Sequence, residues 1–404
     1  MMGTRARVAL VLAAATYAVA WAFGSRALYP LAIGLALAAL AAWAWTRLAA
    51  GPMRLRRRAG RGEHFEGEDV WVFVELERRS LVPTGPLTLV ERLGGLGEKR
   101  TRLRRDGRRL AGEYVLERLP RGRYEAESAE VVLEDPFGLE RVSVPLAAPG
   151  AVVVYPRLVA LETLFSETGR HAQDGRRLLL RRPSGFDLHS VRDYEQGESL
   201  RKVHWRSTAR RGQLMVKELE DAPRDEVVVV LDCDPAGDVG TQPGSSFDVA
   251  VRAAGSIVHA HVRRGRRTVL VLNRAHPDVH RVASLDGDWR AAMEALAAAR
   301  ADGVHPVAAL VGRDGGLVSQ ALELVVVTAR HDPRLVERLA QRAVSHRGVS
   351  LVWIDAATFA ARPAKPEPSL LRLQAAGVAV AVVRKGDDLR SALGAPRLER
   401  AAGG

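Results

Sequence analysis

The densest concentration of chemically capable side chains lies between Val191 and Glu218, in VRDYEQGESLRKVHWRSTARRGQLMVKE. Arg192, Tyr194, Gly197, Arg201, His204, Trp205, Arg206, Arg210 and Arg211 fall together there. Arginine mixed with aromatic rings serves three chemistries. It binds phosphates and stacks on bases in single-stranded nucleic acid. It supplies hot spots for a protein partner. It also locks a linker onto a neighbouring domain by stacking and hydrogen bonding. Arg201 precedes Trp205 by four residues, and Arg206 precedes Arg210 by four, so each pair shares a helix face. Asp193, Glu195 and Glu198 interrupt the positive field, which argues against nucleic acid. The expectation is an interdomain clamp built on Arg192, Tyr194, Arg201 and Trp205, with Arg206 and Arg211 free to meet a protein partner.

A second group follows at the end of an apolar run, EVVVVLDCDP, where Asp232 and Asp234 flank Cys233. Two neighbouring acids raise a thiol's pKa and work against a nucleophilic cysteine. As the sole cysteine, Cys233 forms no internal disulfide, which fits a reducing compartment. The sequence has no phosphate-binding loop, no Gly-x-Ser-x-Gly elbow, no His-Glu-x-x-His and no Cys-x-x-Cys. GGLGEKRT (residues 94–101) has the wrong glycine-to-lysine spacing for a phosphate loop and reads as a hairpin turn.

The elements that carry these residues follow from composition and period. The chain has 404 residues and a net charge of +13, enough for two or three domains. Only five of its 60 basic residues are Lys, and Asn273 is its only Asn. We read that bias as the mark of a GC-rich genome, so basicity alone does not indicate nucleic acid. Residues 8–24 and 27–46 carry no formal charge and match the roughly 20 residues of a spanning helix. Trp21, Tyr29, Trp43 and Trp45 lie near their ends, as interfacial aromatics do. Arg5 and Arg7 precede the pair, and Arg47 and the Arg54–Arg61 run follow it. The intervening turn has Arg26 alone, so the expected arrangement is a hairpin with both ends cytoplasmic. The Arg54–Arg61 run is expected to lie against anionic lipid headgroups.

Short alternating segments with Gly, Pro and Asp turns between residues 63 and 156 predict a β-sandwich-like domain. Beyond residue 225, apolar runs alternate with helical patterns. They predict a doubly wound α/β domain, whose ligands bind at the carboxyl ends of strands, near Asp232 and Asp234. A capping box at Ser245–Asp248 opens one of its helices.

The same segments carry a resemblance. The two N-terminal spans, LPRGRYEAESAEVVLEDPFGL, SGFDLHSVRDYEQGESLRKVHWRSTARRGQLMVKELE and VVVVLDCDP resemble, in order, the bacterial family catalogued as domain of unknown function 58. The resemblance implies a von Willebrand factor A-like C-terminal domain and a MoxR-type AAA+ ATPase as partner. In such domains an Asp-x-Ser-x-Ser motif holds Mg²⁺. Here the place reads Asp232-Cys233-Asp234-Pro235-Ala236, so no cofactor is expected. Should an ion bind, Mg²⁺ at Asp232 and Asp234 is the one implied. The expected organisation is two transmembrane helices (1–47), a basic juxtamembrane linker (48–62), the β-sandwich-like domain (63–156), the signature segment (157–224) and the von Willebrand A-like domain (225–404). The expected function is a membrane-anchored adaptor or assembly factor working with the ATPase on client proteins, without nucleic acid. The contrasting class is a metal-dependent hydrolase using Asp232 and Asp234.

Overall fold

A computed structural model describes residues 2–60, 62–78, 83, 87–106, 109–147, 149–168, 188–193, 205–219, 226–313, 316–345, 348–364 and 367–394. The chain divides into two compact units, Met1–Tyr155 and Pro156–Gly404.

The first unit opens with two helices, α1 (Thr4–Ala22) and α2 (Leu28–Ala49), each long and apolar enough to cross a membrane. They pack on each other through small residues. Ala6, Ala9, Ala13 and Ala20 of α1 and Ala32, Ala39 and Ala42 of α2 are buried, while Val11, Leu12, Ile33 and Leu37 point outward. This reverses the pattern of a soluble hairpin, and alanine contacts let the backbones approach closely. Gly24 adopts φ +66°, which an L side chain resists, and the Ser25 N–H bonds to Ala20 O, closing the turn.

Nine strands follow: β1 (Met53–Ala59), β2 (His64–Phe65), β3 (Val70–Arg78), β4 (Leu87–Leu93), β5 (Gly97–Asp106), β6 (Arg109–Leu116), β7 (Gly122–Glu134), β8 (Arg141–Leu146) and β9 (Ala151–Tyr155). Their hydrogen-bonded order is β1-β3-β6-β5-β4-β7-β9-β2, with β8 on β7. Period two is clear in β3, where Val70, Val72, Val74 and Leu76 are buried between exposed Trp71 and Phe73. These valines share one core with Leu87 and Leu89 of β4 and Val131 and Leu133 of β7. Since β6 and β5 separate β3 from β4 along the ladder, the sheet must fold over on itself. The GGLGEKRT segment is the β4–β5 hairpin turn.

The basic segment 48–62 differs from the expected linker. The helix α2 runs on to Ala49, which enters the β core, and β1 pairs along its whole length with β3. Arg54, Arg56 and Arg58 are exposed, but Arg57 turns inward and forms a buried ion pair with Glu91. Alternation along a strand places every second residue on the inner face, here Met53, Leu55, Arg57 and Ala59, so Arg57 does not face lipid. The Tyr114 hydroxyl donates to the other Glu91 oxygen at 2.7 Å. Burial, with the Glu91 charge beside it, pushes the phenol well above its ordinary pKa.

The second unit begins with α3 (Phe165–Thr168), β10 (Leu188–Asp193), α4 (Trp205–Arg211) and β11 (Met215–Leu219), where β10 and β11 form an antiparallel pair. Six strands make its main sheet: β12 (Val227–Asp232), β13 (Thr268–Asn273), β14 (Asp278–Val282), β15 (Glu323–Thr328), β16 (Gly348–Ile354) and β17 (Ala379–Val383). Their order is β14-β13-β12-β15-β16-β17, parallel except for β14. The accompanying helices are α5 (Ser246–Arg263), α6 (Gly287–Ala298), α7 (Val307–Val311), α8 (Leu317–Gln320), α9 (Pro333–Val344), α10 (Ala356–Phe359), α11 (Pro368–Ala375) and α12 (Leu389–Leu393). All six residues of β12 are buried, as a strand covered on both faces requires. Val228 and Val230 share one core with Leu335 and Leu339 of α9 and Leu373 of α11, while α5 packs on the sheet from its capping box at Ser245 and Asp248. The antiparallel edge strand β14 was not expected, because DVHRV is too polar and short to read as a strand.

Candidate functional site

The strands β12 and β15 lie side by side, and the chain order runs away from them in opposite directions. The crevice at their carboxyl ends is therefore the topological switch point, where open α/β sheets place ligands. Asp232 ends β12 and Thr328 ends β15. The Thr328 hydroxyl donates to Asp232 Oδ2 at 2.7 Å, and the Asp234 N–H donates to Asp232 Oδ1 at 3.2 Å. Burial still holds the Asp232 carboxyl above the usual carboxylate range, against the lowering effect of these donors. Asp232 is 8% exposed and is held by Thr328, a partner 96 residues away in sequence.

Asp234 is engaged on both oxygens. Its Oδ1 accepts from the Ala236 N–H at 2.8 Å and caps the single turn Pro235–Gly237, and its Oδ2 forms an ion pair with the Arg330 guanidinium. The Arg330 N–H donates to Thr328 Oγ1 at 3.0 Å, which ties the β15 end to the same cluster. All four carboxylate oxygens thus have donors, and a fixed cation stands beside them. A divalent ion here would have to displace Arg330 and share oxygens that already accept hydrogen bonds. No group of three or more His, Cys, Asp or Glu residues gathers in a metal-holding arrangement among the described residues.

The floor of the crevice is backbone. The Gly303 N–H donates to Cys233 O at 2.7 Å. A Cβ at Gly303 would stand 2.5 Å from Asn273 O and 2.9 Å from Cys233 O, so only glycine fits. The Asn273 amide donates to His305 O at 2.8 Å, and Arg274 grips Asp302 in a two-point ion pair. Cys233 is fully buried, with its thiol turned to Leu231 O. A cleft of about 500 Å³ in the same unit is lined by Thr241, Gln242, Pro243, Phe359 and Lys385.

The signature segment divides differently. Tyr194, Gly197, Arg201 and His204 lie outside the described residues, and for Arg192 only the β10 backbone is described. Trp205, Arg206, Arg210 and Arg211 come together on α4, which has no buried residue. Trp205 is 66% exposed, so its ring is not a buried clamp. The helix begins at Trp205 and is held to the next strand by the Thr208 hydroxyl, which accepts from the Met215 N–H at 3.0 Å. Met215 is buried, and Arg206, Arg210 and Arg211 remain exposed.

Residues 190–302 match the family described as protein of unknown function DUF58. The match takes in β10 from Ser190 onward, α4 and the Asp232–Asp234 turn, and ends at Asp302. Uncharacterized protein YeaD of Bacillus subtilis (strain 168) is 25% identical over 230 residues, covering 55% of this chain and 54% of that protein. The chain thus spans about half the length of the curated relative it matches. Among solved structures, an alkylpurine DNA glycosylase from Pseudomonas fluorescens, AlkC, aligns over 30% of this chain and 38% of its own, with 16% identity and a TM-score of 0.15. Cwp6 from Clostridium difficile aligns over 84% and 50%, with 11% identity and a TM-score of 0.20. At those scores neither carries an argument.

Proposed function

We propose that this protein is a membrane-anchored adaptor. In this reading α1 and α2 cross the cell membrane as a hairpin, both soluble units lie in the cytoplasm, and the second unit is a von Willebrand A-like domain that engages a MoxR-type AAA+ ATPase on behalf of client proteins. The observation that carries a protein-binding role is α4. A tryptophan at 66% exposure beside three exposed arginines is the composition of an interface hot spot rather than of an ordinary surface. It lies within the segment that matches the DUF58 family. The alanine-lined hairpin with outward Val, Leu and Ile supports the anchor, since those side chains need an apolar surround. The largely parallel sheet with Asp232 at the end of its first strand supports the domain assignment. Arg330 and the backbone donors on the oxygens that a catalytic ion would need weigh against the hydrolase reading.

Affinity capture of the full chain from native membranes, with mass spectrometry, tests the reading. An AAA+ ATPase should co-purify with the wild type and be depleted at least tenfold in Trp205→Ala and in an Arg206→Ala, Arg211→Ala double variant. Capture that is identical in all three proteins would remove α4 as the contact.

A further inference from the structure

The turn between β7 and β8 is built to hold an apolar side chain outward. Asp135 is buried and accepts from the Phe137 N–H at 2.8 Å and the Glu140 N–H at 2.5 Å. Glu140, 2% exposed, reaches across to α1 and accepts from the Gly3 N–H with both oxygens, at 2.9 and 2.7 Å. It therefore serves the backbone N–H of Gly3, the N-cap of α1, as a glutamate at the third helical position does in a capping box, a position that Ala6 occupies here. The Arg5 guanidinium donates to Gly138 O at 3.2 Å. Every polar group named here is turned inward or onto α1, while Phe137 is left 76% exposed.

Resting on the reading that α1 and α2 cross a bilayer, we propose that the Asp135–Glu140 turn is a lipid-interface contact whose Phe137 ring enters the headgroup layer. Depth supports this. Arg5 lies three residues before Val8, where the charge-free run of α1 begins, an axial rise of about 4.5 Å. The headgroup region on each side of the hydrocarbon is roughly 5–7 Å thick. Gly138, bonded to Arg5, is thus carried at headgroup level. Chemistry supports it as well. Arg5, Arg7 and Arg141 are exposed near the turn and suit anionic headgroups. On α2, Trp43 carries the Arg47 guanidinium 5.9 Å from its ring, and Leu48 is 65% exposed, which continues an interfacial belt. The lipid surface occupied by the spans is continuous with the turn that is bonded to them.

Site-directed spin labelling tests this on the full chain in nanodiscs of phosphatidylcholine and phosphatidylglycerol. The only native thiol, buried Cys233, is first removed as Cys233→Ala. Labels are then placed at Phe137→Cys, at Leu12→Cys on the outer face of α1, and at Leu371→Cys, an equally exposed apolar position of the second unit. The ratio of collisions with oxygen to collisions with a water-soluble nickel chelate reports depth. The ratio at position 137 is expected severalfold above that at 371 and below that at 12. A ratio at 137 equal to that at 371, with position 12 in lipid, would overturn the contact and leave the spans standing. Position 12 in water would overturn the spans and the contact together. Protection at 137 that appears only in native membranes would replace lipid with a protein partner and overturn the proposal.

Discussion

At Asp232 the balance between burial and hydrogen bonding decides the residue's behaviour. Its folded pKa is raised, so the native state holds a proton more tightly than the unfolded chain does. The sign follows: Asp232 costs nothing below the ordinary carboxylate pKa, and its charge costs stability as pH rises through the raised value. Asp232→Asn should therefore gain stability relative to wild type as pH rises from about 4 toward 7. Hydrogen exchange of the β12 amides across that range checks it, and a difference that shrinks with pH would contradict the assignment. Gly303→Ala should destabilise the second unit by about 1–3 kcal/mol, because overpacking here meets backbone rather than a flexible side chain. Thermal unfolding should drop accordingly. Added Mg²⁺ should leave the melting temperature of the wild type unchanged. A bound ion at a hundredfold excess over Kd would contribute about 2.7 kcal/mol, a rise easily seen. The acids of this cluster were legible in the sequence because charge at the end of a valine run is conspicuous. Thr328 and Arg330 were not, since threonine continues a strand pattern and the pairing spans 96 residues.

At the scale of elements, local signals did well where one element sufficed. The capping box predicted the start of α5, and the turn glycines predicted the β4–β5 hairpin. They failed where an element answers to its neighbours. The run MRLRRRA looks like a solvated linker by composition, yet pairing with β3 makes it a strand and drives Arg57 into the core. Truncation there leaves Glu91 charged and buried, so Arg57→Ala should cost about 3–5 kcal/mol, against under about 0.5 kcal/mol for Arg56→Ala on the outer face. Equal melting temperatures for the two variants would refute the inward assignment. The helix α4 shows the same limit from the other side. Trp205 invited a buried reading because large aromatics usually bury, but its helix presents no buried face. Trp205→Ala should accordingly change stability by under about 0.5 kcal/mol while weakening partner capture.

At the scale of the whole molecule, the hairpin and the β core behave as one body. The end of α2 enters the β core at Ala49, Arg78 Nε donates to Ala49 O at 3.1 Å, and Glu140 caps the start of α1. Both attachments are at the same end of the hairpin, where Arg5, Arg7 and Arg47 also cluster, while Arg26 stands alone at the other end. Positive charge resists translocation, so the attached end, with everything after residue 47, should remain in the cytoplasm. Fusions after Arg47 and after Gly404 should be active with a reporter that works only in the cytoplasm. An insertion at Ser25 should be active only with one that works outside it. Replacing Arg5 and Arg7 with Glu should leave this orientation in place. Arg47 and the arginines of β1 still outnumber Arg26, and the folded β unit would have to be carried across for the hairpin to invert. An external signal at Gly404 in the wild type would reverse the hairpin and place α4 out of reach of any cytoplasmic ATPase.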